Sequence, residues 1–262
     1  MTDQMTPIDR AKYAAAYCAA DFVKDGMRVG LGTGSTASWL VRRLGARVKH
    51  EGLRIIAVPT STRTAQLARE VGINVVTLDE ARWLDLTIDG ADEFDAELTL
   101  IKGGGGALLH EKIVATASDQ MIVITDPGKE VSALGTFPLP VEVIPFGWQA
   151  SKALIEEILA SMDVLDRRTS LRMNGDAPYV TDEGNYILDL ALGRIGNARQ
   201  LSLVLNQVPG VVENGLFVDI ADQVIIGHPD GAVELRDLSD GSAQVSHRRV
   251  ELAEDSNIFD DI

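Results

Sequence analysis

The strongest constraint on this chain is a local grammar repeated along its first 126 residues. Short apolar runs end in a turn of glycines, hydroxyls or acids, and a helical period of three and four follows. MRVGLG leads through GTGST into ASWLVRRLGARV, and LRIIAVP leads into STRTAQLAREVG, which Gly72 closes. INVVTL, DLTIDGAD and MIVITD supply further strands, with the helix HEKIVATASDQ between the last two. Strands too short and too apolar to alternate, separated by helices, predict a parallel sheet buried on both faces, hence a doubly wound α/β domain. An Ala-rich helix from Thr6 to Lys24, with Pro7 near its start and Gly26 past its end, precedes the first strand.

After Lys129 the grammar changes. TFPLPVEVIPFG carries Pro138, Pro140 and Pro145 and reads as a crossing segment rather than a central strand. SKALIEEILASM and ARQLSLVLNQVPG read as helices, and SLRM and PYVTDEGNYILDLAL as strands with a turn at Asp182 to Asn185. The expected organisation is therefore a sheet domain over residues 1–135 and a small α+β domain over 136–211. Strands over 212–235 return to the first sheet, and 236–262 form a polar, acidic, mobile extension.

Lysine and arginine number 24 against 39 aspartates and glutamates, a net charge of −15. Such a field repels nucleic acid and anionic membranes, so an anionic small substrate must be held by a few focused cations and backbone amides. The single cysteine, Cys18, lies in a helical stretch, allows no intrachain disulfide and suits a reducing compartment. No apolar run reaches the roughly 18 residues of a membrane span, and Asp9, Arg10, Lys12 and Asp21 break up any signal-peptide pattern. A cytoplasmic location is expected.

Four segments carry chemistry. In GLGTGST, residues 30–36, glycines turn the backbone tightly between strand and helix and aim amides at an anion. No GK[ST] follows, which excludes a P-loop. A dinucleotide fingerprint fits in part as Gly32, Gly34 and Ala37, but the next strand ends at Pro59-Thr60-Ser61 without the acid that a ribose requires. A purely structural turn is the remaining alternative. PTSTRTA places hydroxyls and Arg63 at the next strand end, where Ser61 or Thr62 also serves as a helix cap. In DLTIDGADEFD, Asp89 and Asp92 lack EF-hand spacing. They suit sugar hydroxyls or a proton shuttle, or simply form a solvated acidic turn. Finally, LIKGGGGALLHEKIVA sets Lys102 and four glycines, residues 103–106, before a helix bearing Glu111. Four glycines in a row are entropically costly unless backbone must approach a ligand or a hinge is needed. His110-Glu111 is no zincin motif, because position 114 is valine. Lys129 alone reads as a surface lysine.

Taken in order, GTGST, the PTST strand end, DGADE, KGGGGAL with its following EK, FPLPVEVIP and GNYILD closely resemble the A-type ribose-5-phosphate isomerases, over about residues 10–230. That resemblance implies a Rossmann-like domain joined to a smaller, ferredoxin-like α+β domain. It implies interconversion of D-ribose 5-phosphate and D-ribulose 5-phosphate in the non-oxidative pentose phosphate pathway, with no metal or organic cofactor, by a homo-oligomer, dimer or tetramer. Carried to this chain, it makes Thr33, Gly34, Ser35, Thr36, Asp89, Gly90, Ala91, Asp92, Lys102, Gly103, Gly104, Gly105 and Lys129 substrate-binding. It makes Glu111 the catalytic base, with Asp89, Asp92 and Lys102 assisting, and Lys12 a further phosphate-side lysine. A sugar-phosphate sensor without turnover, a CoA-transferase and an NADP-dependent enzyme are the alternatives of related topology.

Overall fold

The structure is a computed structural model that describes residues 5–238 and 244–252. The chain divides into two compact units. The first contains the residues up to Gly90, Ile113–Lys129 and those from Ile220 onward; the second contains Ala91–Lys112 and Glu130–Asp219.

The first unit is built on a sheet whose strands run in the order Gln244–Arg249, Ala232–Asp237, Gln223–Gly227, Met121–Thr125, Leu86–Asp89, Arg28–Leu31, Ile56–Pro59, Asn74–Val75. From Gln223–Gly227 to Asn74–Val75 every pairing is parallel, and the other two pairings are antiparallel. MIVIT, LTID and QVIIG are buried at every position, as strands covered on both faces must be. The helix Pro7–Ala20 starts where Thr6 Oγ1 accepts from the Asp9 amide at 3.2 Å. Its alanines let it lie close on the sheet: a Cβ at Gly227 would sit 2.1 Å from the Ala11 carbonyl oxygen. Cys18 is buried and belongs to the same core cluster as Val29, Leu40 and Ile122.

Residues 244–249, placed by sequence in a mobile tail, form an edge strand paired throughout with Ala232–Asp237. Their polar composition reflects exposure, since all six residues face solvent, not lack of structure. The rest of the expected extension lies mostly outside the described residues.

The second unit carries an antiparallel sheet in the order Val211–Asn214, Leu139–Val143, Tyr186–Ala191, Arg168–Leu171, with helices Trp148–Leu159 and Ala198–Leu205. In chain order this is strand, helix, strand, strand, helix, strand, with the fourth and first strands adjacent: a ferredoxin-like split β-α-β. The proline-rich run is thus a central strand, not a crossing segment, and all five residues of Leu139–Val143 are buried. Proline is tolerated because the Pro140 backbone faces the side where the Val211–Asn214 ladder has ended. There its carbonyl accepts from Gly215 N at 2.8 Å, and no ladder N–H is missed.

Residues 91–112, expected in the first domain, group with the second unit. Glu93–Phe94, Leu100–Ile101 and Leu216–Phe217 pair as a small antiparallel sheet. Phe94, Leu100, Ile101 and Phe217 are fully buried there. The return to the first sheet begins after Asp219, later than residue 212, because Val211–Asn214 still pairs with Leu139–Val143. No helix among the described residues is long and apolar enough to cross a membrane.

Candidate active site

Within the first unit the registers Leu31↔Pro59, Leu31↔Ile88 and Asp89↔Val123 bring four loops to the carboxyl edge of the parallel strands. Ligands of such sheets bind at this edge. The loop after Arg28–Leu31 leads straight into the helix Ser35–Glu51. Gly34 sits at its N-cap with φ +117°, a value L side chains rarely adopt, and offers no side chain to cap the first-turn amides. Lys12 Nζ donates to Ser35 Oγ at 2.9 Å, so an ammonium stands beside those amides. Thr33 points the other way, its hydroxyl within 2.8 Å of both Thr60 Oγ1 and Ser61 Oγ. Ser61 itself caps the helix Thr62–Glu70, accepting from Thr64 N at 3.2 Å. The PTST segment therefore fastens the loop rather than presenting a free row of hydroxyls.

Asp89 is fully buried, and its Oδ1 accepts from Thr33 N at 3.1 Å and Gly90 N at 2.7 Å. A Cβ at Gly32 would lie 2.0 Å from that oxygen. The glycine is required because the carboxylate occupies its side-chain space. Lys129, half-buried, ends the turn Pro127–Lys129, which Asp126 holds through Gly128 N at 2.9 Å.

In the second unit Lys102 and Glu111 form a buried ion pair. Lys102 Nζ lies 3.4 Å from Glu111 Oε1, with 2% and 3% of the two residues exposed. Between them the chain folds back through a turn in which Gly106 N donates to Gly103 O at 3.0 Å, and the helix Leu108–Thr116 then presents Glu111. Lys102 Nζ stands 5.5 Å from the ring centroid of Phe217, and Lys112 Nζ 5.0 Å from the same ring. Asp92 repeats the part played by Asp89: its Oδ2 accepts from Gly104 N at 2.7 Å, and a Cβ at Gly104 would lie 2.6 Å from its other oxygen. Gly104 and Gly105 are exposed, whereas Gly103 is buried. His110 bonds Glu183 at 2.8 Å near the surface.

The structure thus gathers the sequence-derived residues into two sets. Thr33 to Thr36, Asp89, Gly90 and Lys129 lie on the first unit's sheet edge; Ala91, Asp92, Lys102 to Gly105 and Glu111 lie in the second unit. Arg172 and Tyr179 escape sequence reasoning, and Lys112 is given no role by it. Arg172 Nη1 donates to Gly103 O at 2.9 Å and Gly104 O at 3.2 Å, and Lys112 Nζ donates to Glu213 Oε1 at 2.9 Å and Asn214 O at 2.6 Å. Only Lys112 had a local signal, its place one residue after Glu111. Among the described residues no group of three or more His, Cys, Asp or Glu is arranged to hold a metal ion.

A buried carboxylate beside an ammonium can accept a proton from carbon while the cation stabilises the oxygen charge that results. Burial of the pair strengthens both effects, because few waters screen them.

The family model for ribose 5-phosphate isomerase A (phosphoriboisomerase A) matches residues 56–231. A ribose-5-phosphate isomerase A of Ruegeria pomeroyi is 71% identical over 262 residues, which cover 100% of this chain and 99% of that protein. The likeness therefore runs through the C-terminal residues that motif inspection left outside it. Among solved structures, the ribose 5-phosphate isomerase of Plasmodium falciparum has a TM-score of 0.81 at 32% identity, covering 94% of this chain and 100% of the other. A D-ribose-5-phosphate isomerase in complex with phospho-erythronic acid has a TM-score of 0.79 at 39% identity, covering 93% and 100%. Relatives so similar over whole chains, in sequence and in fold, mean that this chain is an enzyme of the ribose 5-phosphate isomerase A family.

Proposed function

We propose that the chain interconverts D-ribose 5-phosphate and D-ribulose 5-phosphate by moving a proton between C2 and C1, as a step of the non-oxidative pentose phosphate pathway. The observation that carries this reading is the buried pair of Lys102 Nζ and Glu111 Oε1, 3.4 Å apart, in a chain of this family. Glu111 as carboxylate takes the C2 proton of the open-chain aldehyde and returns it to C1. The enediolate formed between these transfers carries charge on oxygen, which Lys102 and the glycine-loop amides stabilise while the O2 hydroxyl proton passes to O1. Atoms balance within the substrate, so the transfer itself needs no redox partner.

Ring opening precedes this, with an aspartate taking the anomeric hydroxyl proton and passing it to the ring oxygen as the C1–O bond of the ring breaks. Asp92, half-buried, is more accessible for that work than the fully buried Asp89. The phosphate is assigned to the Thr33 to Thr36 loop, where uncapped helix amides and Lys12 offer positive charge, with Lys129 as a further cation. Support for a sugar-phosphate ligand comes from the relative solved with phospho-erythronic acid.

The test is conversion of ribose 5-phosphate to ribulose 5-phosphate by the purified chain with EDTA present. Turnover that survives chelation is expected. Binding without conversion would replace the enzyme with a sensor, and conversion only on adding a metal or NADP would overturn the mechanism.

A further inference from the structure

The hairpin that follows Arg168–Leu171 reaches the glycine loop in an ordered way. Arg172 lies between the ladder that ends at Leu171↔Leu188 and the small hairpin Met173–Asn174/Ala177–Pro178. Its backbone is held on both sides, the amide donating to Ile187 O at 2.8 Å and the carbonyl accepting from Tyr179 N at 2.9 Å. Its guanidinium grips both oxygens of Asp189, Nη2 to Oδ1 at 2.5 Å and Nε to Oδ2 at 2.9 Å. The remaining nitrogen, Nη1, takes Gly103 O and Gly104 O. Tyr179, whose ring lies 5.9 Å from the guanidinium carbon, donates its hydroxyl to Gly105 O at 3.4 Å.

Three successive carbonyls are thereby drawn toward one hairpin. In a trans peptide the N–H points opposite to the C=O, so the amides of Gly104 and Gly105 are directed away from it. Gly104 N is used by Asp92 Oδ2 and Gly106 N by Gly103 O. The Gly105 amide donates to no acceptor among the described residues, and Gly105 is exposed. A run of four glycines has no preferred orientation of its own, so that direction must be imposed from outside the loop.

We propose that Arg172, braced by Asp189, is a positioning residue that orients the glycine loop so that the Gly105 N–H serves the enediolate oxygen. This rests on the isomerase reading above for the identity of the oxyanion. The guanidinium is needed for its shape: only a planar fork with five donors grips a carboxylate with two nitrogens and spends a third on carbonyls.

The variants Arg172→Lys and Arg172→Met test it, the second keeping the apolar stem. An amide that acts on charge present only in the transition state affects kcat and spares KM. Deleting an oxyanion donor outright costs about 10²- to 10³-fold, so misdirecting one is expected to lower kcat about 10- to 100-fold, with KM for ribose 5-phosphate changed less than about threefold. Affinity for phospho-erythronic acid, whose planar carboxylate resembles the enediolate, should fall with kcat. On uniformly 15N-labelled full-length protein, exchange of the hydrogen-bonded Gly104 and Gly106 amides should quicken at least about tenfold, while Leu188 and Leu190 keep their protection.

Unchanged kcat and unchanged glycine exchange would overturn the proposal. So would a kcat loss matched by lost protection at Leu188 and Leu190, which would make Arg172 a fold residue only. Should the wild-type protein fail to convert ribose 5-phosphate, the isomerase reading falls. The glycine exchange would still decide whether Arg172 orients the loop.

Discussion

Replacing Glu111 by glutamine changes one atom, yet it acts on two quantities that can be separated. As a positioned general base the carboxylate is worth roughly 10²- to 10⁴-fold in rate, or about 2.7–5.4 kcal/mol of activation free energy at 1.36 kcal/mol per tenfold. Glu111 is also half of a buried ion pair, with Lys102 2% exposed. Removing one partner of such a pair costs about 3–5 kcal/mol of stability, because an ammonium is left in low dielectric. Two features reduce that cost: the glutamine oxygen still accepts a hydrogen bond, and the Phe217 ring faces the ammonium at 5.5 Å. With roughly 0.5–2 kcal/mol from the ring, a net loss of about 2–4 kcal/mol is expected. At about 2–4 °C per kcal/mol for a chain of this size, the thermal midpoint should drop by about 4–16 °C. The variant remains folded at 25 °C if total stability lies in the usual range of about 5–15 kcal/mol. Glu111→Asp keeps the charge but withdraws the carboxylate by roughly one C–C bond, so it should recover most of the stability while staying about 10²-fold slow. The assay pairs kcat, measured well below the midpoint, with C2-proton exchange into D2O followed by NMR. A glutamine variant that turns over within tenfold of wild type would refute the base assignment. A glutamine variant with an unchanged midpoint would refute the energetics of the pair.

Two substitutions at Asp89 offer a sharper separation. Asp89→Asn leaves an acceptor for Thr33 N and Gly90 N, whereas Asp89→Ala removes the fastening; the alanine variant should raise KM for the phosphate ester more than the asparagine variant does, and equal KM values would deny Asp89 its loop role. Gly32→Ala forces a methyl group to within 2.0 Å of the Asp89 oxygen and should cost about 1–3 kcal/mol in urea unfolding; a wild-type midpoint there would count against that packing. Glu142 is buried, and burial pushes its carboxyl above the usual range despite hydrogen bonds from Asn185 and Thr181. A raised folded-state pKa means that folding carries a stability cost that is fully present above the folded value and disappears as pH falls through it toward the unfolded one. Glu142→Gln, which keeps the Oε1 acceptor, should therefore raise the thermal midpoint at pH 7 and lose its advantage near pH 4; a gain independent of pH would refute the electrostatic origin.

Much of the fold was legible because the first unit is assembled from local rules. Runs such as MIVIT and LTID are apolar throughout because both faces are covered, and the glycine turns between strand and helix mark the binding edge. The second unit was harder. Pro140 argues against a central strand unless one knows that the neighbouring ladder stops beside it, and this is a tertiary fact. The tail strand Gln244–Arg249 was hidden for a related reason, since an exposed edge strand needs no apolar period. Within the site, Glu111 and Lys102 stood out beside the glycine run, and the family resemblance supplied their roles. Arg172 could not: it acts on a loop 68 and 69 residues earlier in the chain, and nothing in LRMNG marks it.

The glycine motifs and the DGAD turn condition one another, which explains why several weak signals together are specific. Gly32 has no side chain because the Asp89 carboxylate fills that volume, and Gly104 has none because Asp92 fills its own. In each case the displaced side chain is replaced by a hydrogen bond from the loop backbone to the acid: Thr33 N to Asp89 and Gly104 N to Asp92. A short segment, Asp89 to Asp92, thus supplies one fastener to the loop of the first unit and one to the loop of the second. An alanine at either glycine, or a larger group at either acid, would demand a change at the partner position more than ten residues away. GTGST, DGADE and KGGGG are each common turn chemistry, but the steric pairing of acid with glycine ties their occurrence together. The same pairing limits what chemistry may be credited to the aspartates, because any proton that Asp92 moves must leave Oδ2 available to the Gly104 amide if the loop is to hold its shape.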